Sequence, residues 1–212
     1  MIKRIIFDLD YTIFNWIDPF SDSLKEFFDR YNIVMDAHTE SILIGAVAKY
    51  EMATTSYNEE VLSKYVCREF NVEYTPYFCE ILKKNRLQTE VELMANAKEI
   101  LEYLNSKYEV VILSNWMGIY QDMILDKLEI NHYFKEKYYP ETFKKKPYFE
   151  SYDKARGNHA FKECIMIGDG VKNDYLGPKE NGMQAILFDK NNKYAHTNYK
   201  RITNLIELKE IL

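Results

Sequence analysis

Short apolar runs recur along this chain, and each stops abruptly at polar residues. Ile5-Ile6-Phe7 is the first; Val110-Val111-Ile112-Leu113, Cys164-Ile165-Met166-Ile167 and Ala185-Ile186-Leu187-Phe188 follow much later. A brief, unbroken apolar run bounded by turn residues reads as a strand buried on both faces, as in a parallel sheet. Helical spacing separates these runs. Ile100, Leu101 and Leu104 share a face before the second run, and Ile119, Met123, Ile124 and Leu128 follow it at helical intervals. Strands alternating with helices predict an open parallel α/β sheet covered by helices on both faces. Near the end, Asn204 is placed to cap a last helix whose Leu205, Leu208 and Leu212 turn inward.

Residues 18–88 break that rhythm with four helical patterns and no strand pattern. Asp18-Pro19 supplies a cap and a first-turn proline, after which Phe20, Leu24, Phe27 and Tyr31 recur at helical spacing. A second helix is expected from Ser41 to Ala53. Asn58 caps a third carrying Val61, Leu62, Tyr65 and Val66, and Thr75-Pro76 starts a fourth with Phe78, Ile81 and Leu82. The expected organisation is therefore an α/β core from residues 1–17 and 89–212, with a helical unit, 18–88, inserted after the first strand.

Composition narrows the function classes. Of the 212 residues, 47% are hydrophobic, enough for a real core, and the formal net charge is −5. Lys144-Lys145-Lys146 is the only basic run, so no concentrated cationic face exists to displace counterions from a nucleic acid. Cys67, Cys79 and Cys164 are odd in number and form no CxxC pair, which fits a reducing compartment. No signal-peptide pattern or membrane-length apolar stretch is legible, so a soluble, cytoplasmic protein is expected. His38, His132, His159 and His196 show no metal-ligand spacing and are assigned to loops or surface.

Four clusters carry candidate chemistry. Asp8-Leu9-Asp10-Tyr11-Thr12 stands where the first strand ends, and open α/β sheets bind ligands at the carboxyl ends of their strands. Ser114-Asn115 ends the second run. Lys146-Pro147 comes next, with proline at an expected first helical position. Gly168-Asp169-Gly170-Val171-Lys172-Asn173-Asp174 follows the third run, its glycines flanking an acid in a tight turn. Each has a plainer reading taken alone: a solvated acidic turn, an ordinary helix start, a surface lysine. GxGxxG and GxSxG are both absent, which sets aside dinucleotide binding and the serine hydrolases of that motif.

In this order, each at or beside a strand end, the four clusters resemble the haloacid-dehalogenase-like superfamily over residues 5–188. The resemblance implies a Rossmann-like parallel-sheet core with an inserted α-helical cap, as in phosphoglycolate phosphatases, β-phosphoglucomutases and several nucleotidases. It implies that Asp8 attacks a substrate phosphorus to form an aspartyl-phosphate, and that Asp10 acts as acid and then base. Thr12, Ser114 and Asn115 are implied at the phosphoryl group, with Lys146 neutralising its charge. Mg²⁺ is the implied cofactor, held by Asp8, the Asp10 main-chain carbonyl and Asp169, with Asp174 supporting the shell. Gly170 departs from relatives that carry serine or threonine there.

The name-giving dehalogenases lack an acid at the position of Asp10 and need no metal, so this pattern implies a phosphatase acting on a small phosphorylated metabolite. A phosphomutase on the same core, or a non-catalytic regulator, is the alternative. The ester's identity would lie in the inserted helices, where Trp16, Lys49, Arg68, Lys84 and Arg86 are candidates to line the substrate face and Trp116 to touch substrate. Nothing in the sequence sets an oligomeric state.

Overall fold

A computed structural model describes residues 1–18 and 22–212, so the proline cap and Phe20 expected near the first helix lie outside the described residues. In chain order the elements begin with β1 (Arg4–Phe7), β2 (Phe14–Asp18), α1 (Asp22–Arg30), α2 (Ala37–Ala53), α3 (Glu59–Glu69) and α4 (Tyr77–Gln88). Then come β3 (Glu90–Leu93), α5 (Ala97–Asn105), β4 (Glu109–Leu113), α6 (Gly118–Lys127), β5 (Glu136–Tyr138) and α7 (Phe149–Arg156). The chain finishes with β6 (Cys164–Gly168), α8 (Gly177–Glu180), β7 (Gln184–Phe188), β8 (Arg201–Ile202) and α9 (Leu208–Ile211).

Six strands form one parallel sheet in the order β5-β4-β1-β6-β7-β8. The four apolar runs are its inner strands, and alternation explains why they are apolar throughout. Ile5, Phe7, Val110, Ile112, Ile165 and Ile167 point to the face covered by α5 and the C-terminal turns. Ile6, Val111, Leu113, Cys164 and Met166 point to the opposite face, where Tyr152 and Ala155 of α7 pack. From β1 the chain crosses first to β4 and later to β6 on the other side. The carboxyl ends of these three strands meet at that reversal, where α/β sheets open a crevice.

Helices α1–α4 gather a second apolar cluster around Phe27, Phe28, Tyr50, Leu62, Val66 and Phe78. The chain enters them on β2 and returns on β3, and these two strands pair antiparallel as Phe14↔Leu93 and Trp16↔Val91. The cluster is not closed on itself, because Met117 and Tyr120 beside the sheet are buried in it as well.

Several local expectations are corrected. Helix α2 begins at Ala37, where Asp36 and Thr39 form a reciprocal capping box. Thr75 does not cap α4; its hydroxyl is buried without a partner. Pro147 precedes rather than opens α7, and the Lys146–Pro147 peptide is cis. Ile119 of α6 is 48% exposed, because that helix turns Tyr120, Gln121, Ile124 and Leu125 inward instead. Asn204 does cap a turn, and Leu205 and Leu208 are buried, although its first turn is 3₁₀. No helix among the described residues is long and apolar enough to cross a membrane.

At the amino end of the strands, away from the crevice, Arg4 is 3% exposed and ties three elements together. Its guanidinium donates to Glu109 Oε2 (2.9 Å), Glu136 Oε2 (2.6 Å) and the Ala155 carbonyl (2.9 Å). Glu109 also accepts from Lys135 and contacts His159. Bonds from Lys135, His159 and Arg4, set against some burial, pull the Glu109 carboxyl down to about 2. A carboxyl depressed in the folded state stabilises fully above its unfolded value near 4.5, and loses that contribution as pH falls through about 2. Glu109→Gln is therefore expected to cost about 1–2 kcal/mol at neutral pH, roughly 2–8 °C in Tm. Thermal melts across pH should show the gap to wild type narrowing between pH 4.5 and 2; a gap constant with pH would refute the assignment.

Candidate active site

The crevice at the strand ends is built around one buried ammonium. Lys146 is 2% exposed, and its Nζ donates to Asp8 Oδ1 and to Asp174 Oδ1, both at 2.7 Å. Asp8 directly follows β1, and its N–H donates to the Ile167 carbonyl of β6 (2.9 Å). Asp174 reaches the site from a π-helical turn, Val171–Leu176, after β6. Gly170 N–H donates to its other oxygen (2.8 Å).

Two glycines make room for Asp174. A Cβ on Gly168 would lie 2.5 Å from the Asp174 Cγ, and one on Gly170 would lie 2.7 Å from its Oδ2. The glycine at position 170, unusual by sequence resemblance, therefore lets Asp174 approach and receive the main-chain donor.

Lys146 is held from behind. The Asn115 amide makes a reciprocal pair with its backbone: Nδ2 donates to the Lys146 carbonyl (2.9 Å) and Lys146 N–H donates to Oδ1 (2.7 Å). Asn115 lines the cavity, but its side chain is committed to the loop that carries the lysine. Thr12 and Ser114, expected at a phosphoryl group, are both 0% exposed and do not line the cavity. Thr12 Oγ1 accepts from Asp169 N–H (3.1 Å), tying the loop after β1 to the loop after β6. Ser114 Oγ accepts from Gln121 Nε2 (2.9 Å).

Asp10 is positioned separately from the Lys146 cluster. Trp16 Nε1 donates to its Oδ1 (2.8 Å), and Gln121 Nε2 donates to its Oδ2. Gln121 is fully buried, with its own Oε1 left unpartnered, so its orientation serves Asp10 and Ser114 alone. Sequence reasoning missed Gln121, and it placed Trp16 only as a wall residue. The available signal was a glutamine on the same helical face as Ile124 and Leu125, a face otherwise apolar.

Electrostatics at the centre are strongly unbalanced. One oxygen each from Asp8, Asp169 and Asp174 lie within 4.8 Å of one another, and Lys146 is the cation bonded among them. Burial pushes Asp8 well above the usual carboxylate range against the pull of Lys146, and the charges of Asp174, Asp169 and Asp10 add to the rise. Burial, then Asp174, raises Asp169 to about 6. Burial alone would lower Lys146, but Asp174 and Asp8 outweigh it and its pKa ends above the ordinary value. Oxygen-only donors with surplus negative charge fit a hard divalent cation such as Mg²⁺. A carboxylate gripped by an ammonium, with a second, separately held acid nearby, can serve as a nucleophile and an acid–base pair. The cavity above these groups measures about 430 Å³, and Tyr11, Trp16, Glu51, Arg86 and Trp116 form much of its wall.

Comparison with known proteins agrees with this architecture. The family model of haloacid dehalogenase-like hydrolases matches residues 5–188. The HAD-hydrolase YfnB from Bacillus subtilis, solved bound to magnesium, superposes with a TM-score of 0.74 at 19% identity, covering 100% of this chain and 98% of that one. A 2-haloacid dehalogenase from Pseudomonas syringae pv. Tomato DC3000 gives 0.75 at 18% identity, with the same coverage. A HAD phosphatase from Thermococcus onnurineus gives 0.71 at 20% identity, covering 99% of this chain and 97% of that one. Among curated proteins nothing matches. With a family match spanning most of its length, on a fold it shares with other such enzymes, the chain belongs to the haloacid dehalogenase-like hydrolases.

Proposed function

We propose that the protein is a phosphatase that cleaves small phosphate monoesters through an aspartyl-phosphate on Asp8. The observation that carries this reading is the pair of differently held acids. Asp8 is gripped by Lys146 inside the acidic cluster, while Asp10 is bonded only at its flanks by Trp16 and Gln121. A dehalogenase of this family needs the first acid alone; the separately positioned second acid is what a poor alkoxide leaving group requires.

In this reading Asp8 attacks the phosphorus through a carboxylate oxygen, while Lys146 neutralises charge beside it. Asp10 protonates the departing ester oxygen, then takes a proton from the water that opens the aspartyl-phosphate. Asp8, Asp169 and the Asp10 main-chain carbonyl would hold Mg²⁺, with Asp174 behind them, and the ion supplies positive charge that lets an anionic nucleophile meet an anionic phosphate. Thr12, Ser114 and Asn115 act by holding Asp169, Gln121 and Lys146 in place. Helices α1–α4, entered and left beside the site, form the cap that excludes water and sets which ester fits.

The deciding experiment offers sugar phosphates, nucleoside monophosphates, phosphoglycolate, an aryl phosphate and 2-chloropropionate, with Mg²⁺ present. Phosphate release without chloride release is expected, and chelation should abolish it. Mg²⁺ should also raise Tm progressively, since an ion bound only by the folded state adds about 2.7 kcal/mol at 100 times its Kd. Chloride release, or full activity and an unmoved Tm in chelator, would reject the reading.

Asp8→Asn is expected to abolish turnover without lowering Tm, because it removes one buried acid from a surplus and leaves Lys146 paired with Asp174. Turnover near the wild-type rate would make another residue the nucleophile.

Asp10→Asn should slow alkyl phosphate hydrolysis roughly 10²–10⁴-fold, with a smaller loss for aryl phosphates that leave unaided. Gln121→Leu should reproduce a weaker form of the same leaving-group dependence, roughly 10–100-fold, because Gln121 only positions Asp10. Equal losses for good and poor leaving groups would show that neither residue serves proton transfer.

A further inference from the structure

The cavity wall holds a second cation that no acid among the described residues pairs with. Arg86 comes from the last turn of α4, and its guanidinium carbon sits 3.9 Å from the centroid of the Trp16 ring. Trp116 and Tyr120 flank it at 6.0 Å each. Stacking on aromatic faces supports the cation but leaves its in-plane N–H donors unused. Its Nε is buried with no hydrogen-bond partner, and no acid among the described residues forms an ion pair with it. Burial draws its pKa down to about 10, against the pull of Asp10, Tyr120 and Tyr11, so it remains charged at neutral pH. Glu51, the acid of the same wall outside the catalytic cluster, accepts instead from the Tyr57 hydroxyl.

An unmatched, largely desolvated guanidinium lining a ligand cavity is costly unless the ligand supplies its anion. Its position states where that anion would lie. Trp16 carries Arg86 on its face and donates from its Nε1 to Asp10, so the guanidinium stands one indole ring from the acid assigned to the leaving oxygen. Resting on the phosphatase reading, we infer that Arg86 is a specificity-determining residue that binds a second anionic group, carboxylate or phosphate, on the alcohol part of the substrate, a few bonds from the ester oxygen. The preferred substrates are then small phosphomonoesters of hydroxy acids, or bisphosphates of short diols, rather than esters with neutral tails. A guanidinium fork receives either anion through paired N–H donors.

The test compares three short esters with the full-length protein and Mg²⁺: 2-phosphoglycolate, 1,3-propanediol bisphosphate and ethyl phosphate. Each is measured with wild type, Arg86→Met and Arg86→Lys; methionine keeps an apolar stem on Trp16 and removes the charge. For wild type, kcat/KM should favour one of the two anionic-tailed esters over ethyl phosphate, and which one identifies the anion. Arg86→Met should lower that value roughly 10–100-fold, mainly through KM, leave ethyl phosphate within about 3-fold, and Arg86→Lys should recover part of the loss. Wild-type preference for ethyl phosphate, or an equal loss on all three esters, would overturn the inference and leave the phosphatase reading standing. Failure of wild type to hydrolyse any of the three, or an aryl phosphate, would overturn both.

Discussion

A single buried ammonium organises the strand ends. Lys146 is almost wholly shielded from water, so it needs anions inside the protein, and Asp8 and Asp174 are those anions. Losing both anions would strand the ammonium at a cost of about 3–5 kcal/mol, whereas either one alone leaves it paired. Much of the surrounding structure can be traced to that constraint. Asn115 locks the lysine's backbone, Gly168 clears space for Asp174, and Gly170 both clears space and donates to it. Yet the lysine does not balance the cluster. Burial first, and then the surplus negative charge, raises Asp8 and Asp169, and that surplus suits the centre to a hard divalent cation.

Asp10 belongs to a different mechanical unit. Its two donors come from β2, on the way into the inserted helices, and from α6, beside the sheet. Its carboxylate is thus oriented by the join between the two apolar clusters, whereas Asp8 stands at the end of β1 and its carboxylate is held by Lys146. One indole then serves two ends, donating in its plane to Asp10 and offering its face to Arg86. The two proposed tasks, moving a proton and recognising the rest of the substrate, meet at Trp16.

Inner strands were legible because their packing is decided by their own residues. Cys164-Ile165-Met166-Ile167 is apolar on both faces wherever it pairs, and so reads as buried without knowledge of its neighbours. Strands β2, β3, β5 and β8 escaped because they are partly exposed and polar residues interrupt them: Asn15 in β2, Glu90 and Glu92 in β3, Glu136 and Lys137 in β5, and Arg201 in β8. The acids and Lys146 were visible because each stands where an apolar run or a glycine turn announces a strand end. What those residues lean on was not visible. Gln121 looks like a surface residue of a helix until α6 is rotated by the demands of Tyr120 and Ile124, and Asn115 looks like a ligand residue until the loop bearing Lys146 arrives beside it.

The sharing of Met117 and Tyr120 between the inserted helices and the sheet region bears on cooperativity. These residues flank the start of α6 and are 2% exposed, buried against α3 and α4, and the Tyr120 hydroxyl donates to Glu59 of α3. Any opening that lifted the inserted helices clear would expose two large apolar side chains and release that bond, besides uncovering the cavity. Excursions that keep this seam closed avoid that exposure, whereas full separation would cost roughly 1.5–3 kcal/mol for each of the two side chains. Access to the site is consequently expected through breathing about this seam rather than through detachment of one half of the molecule from the other.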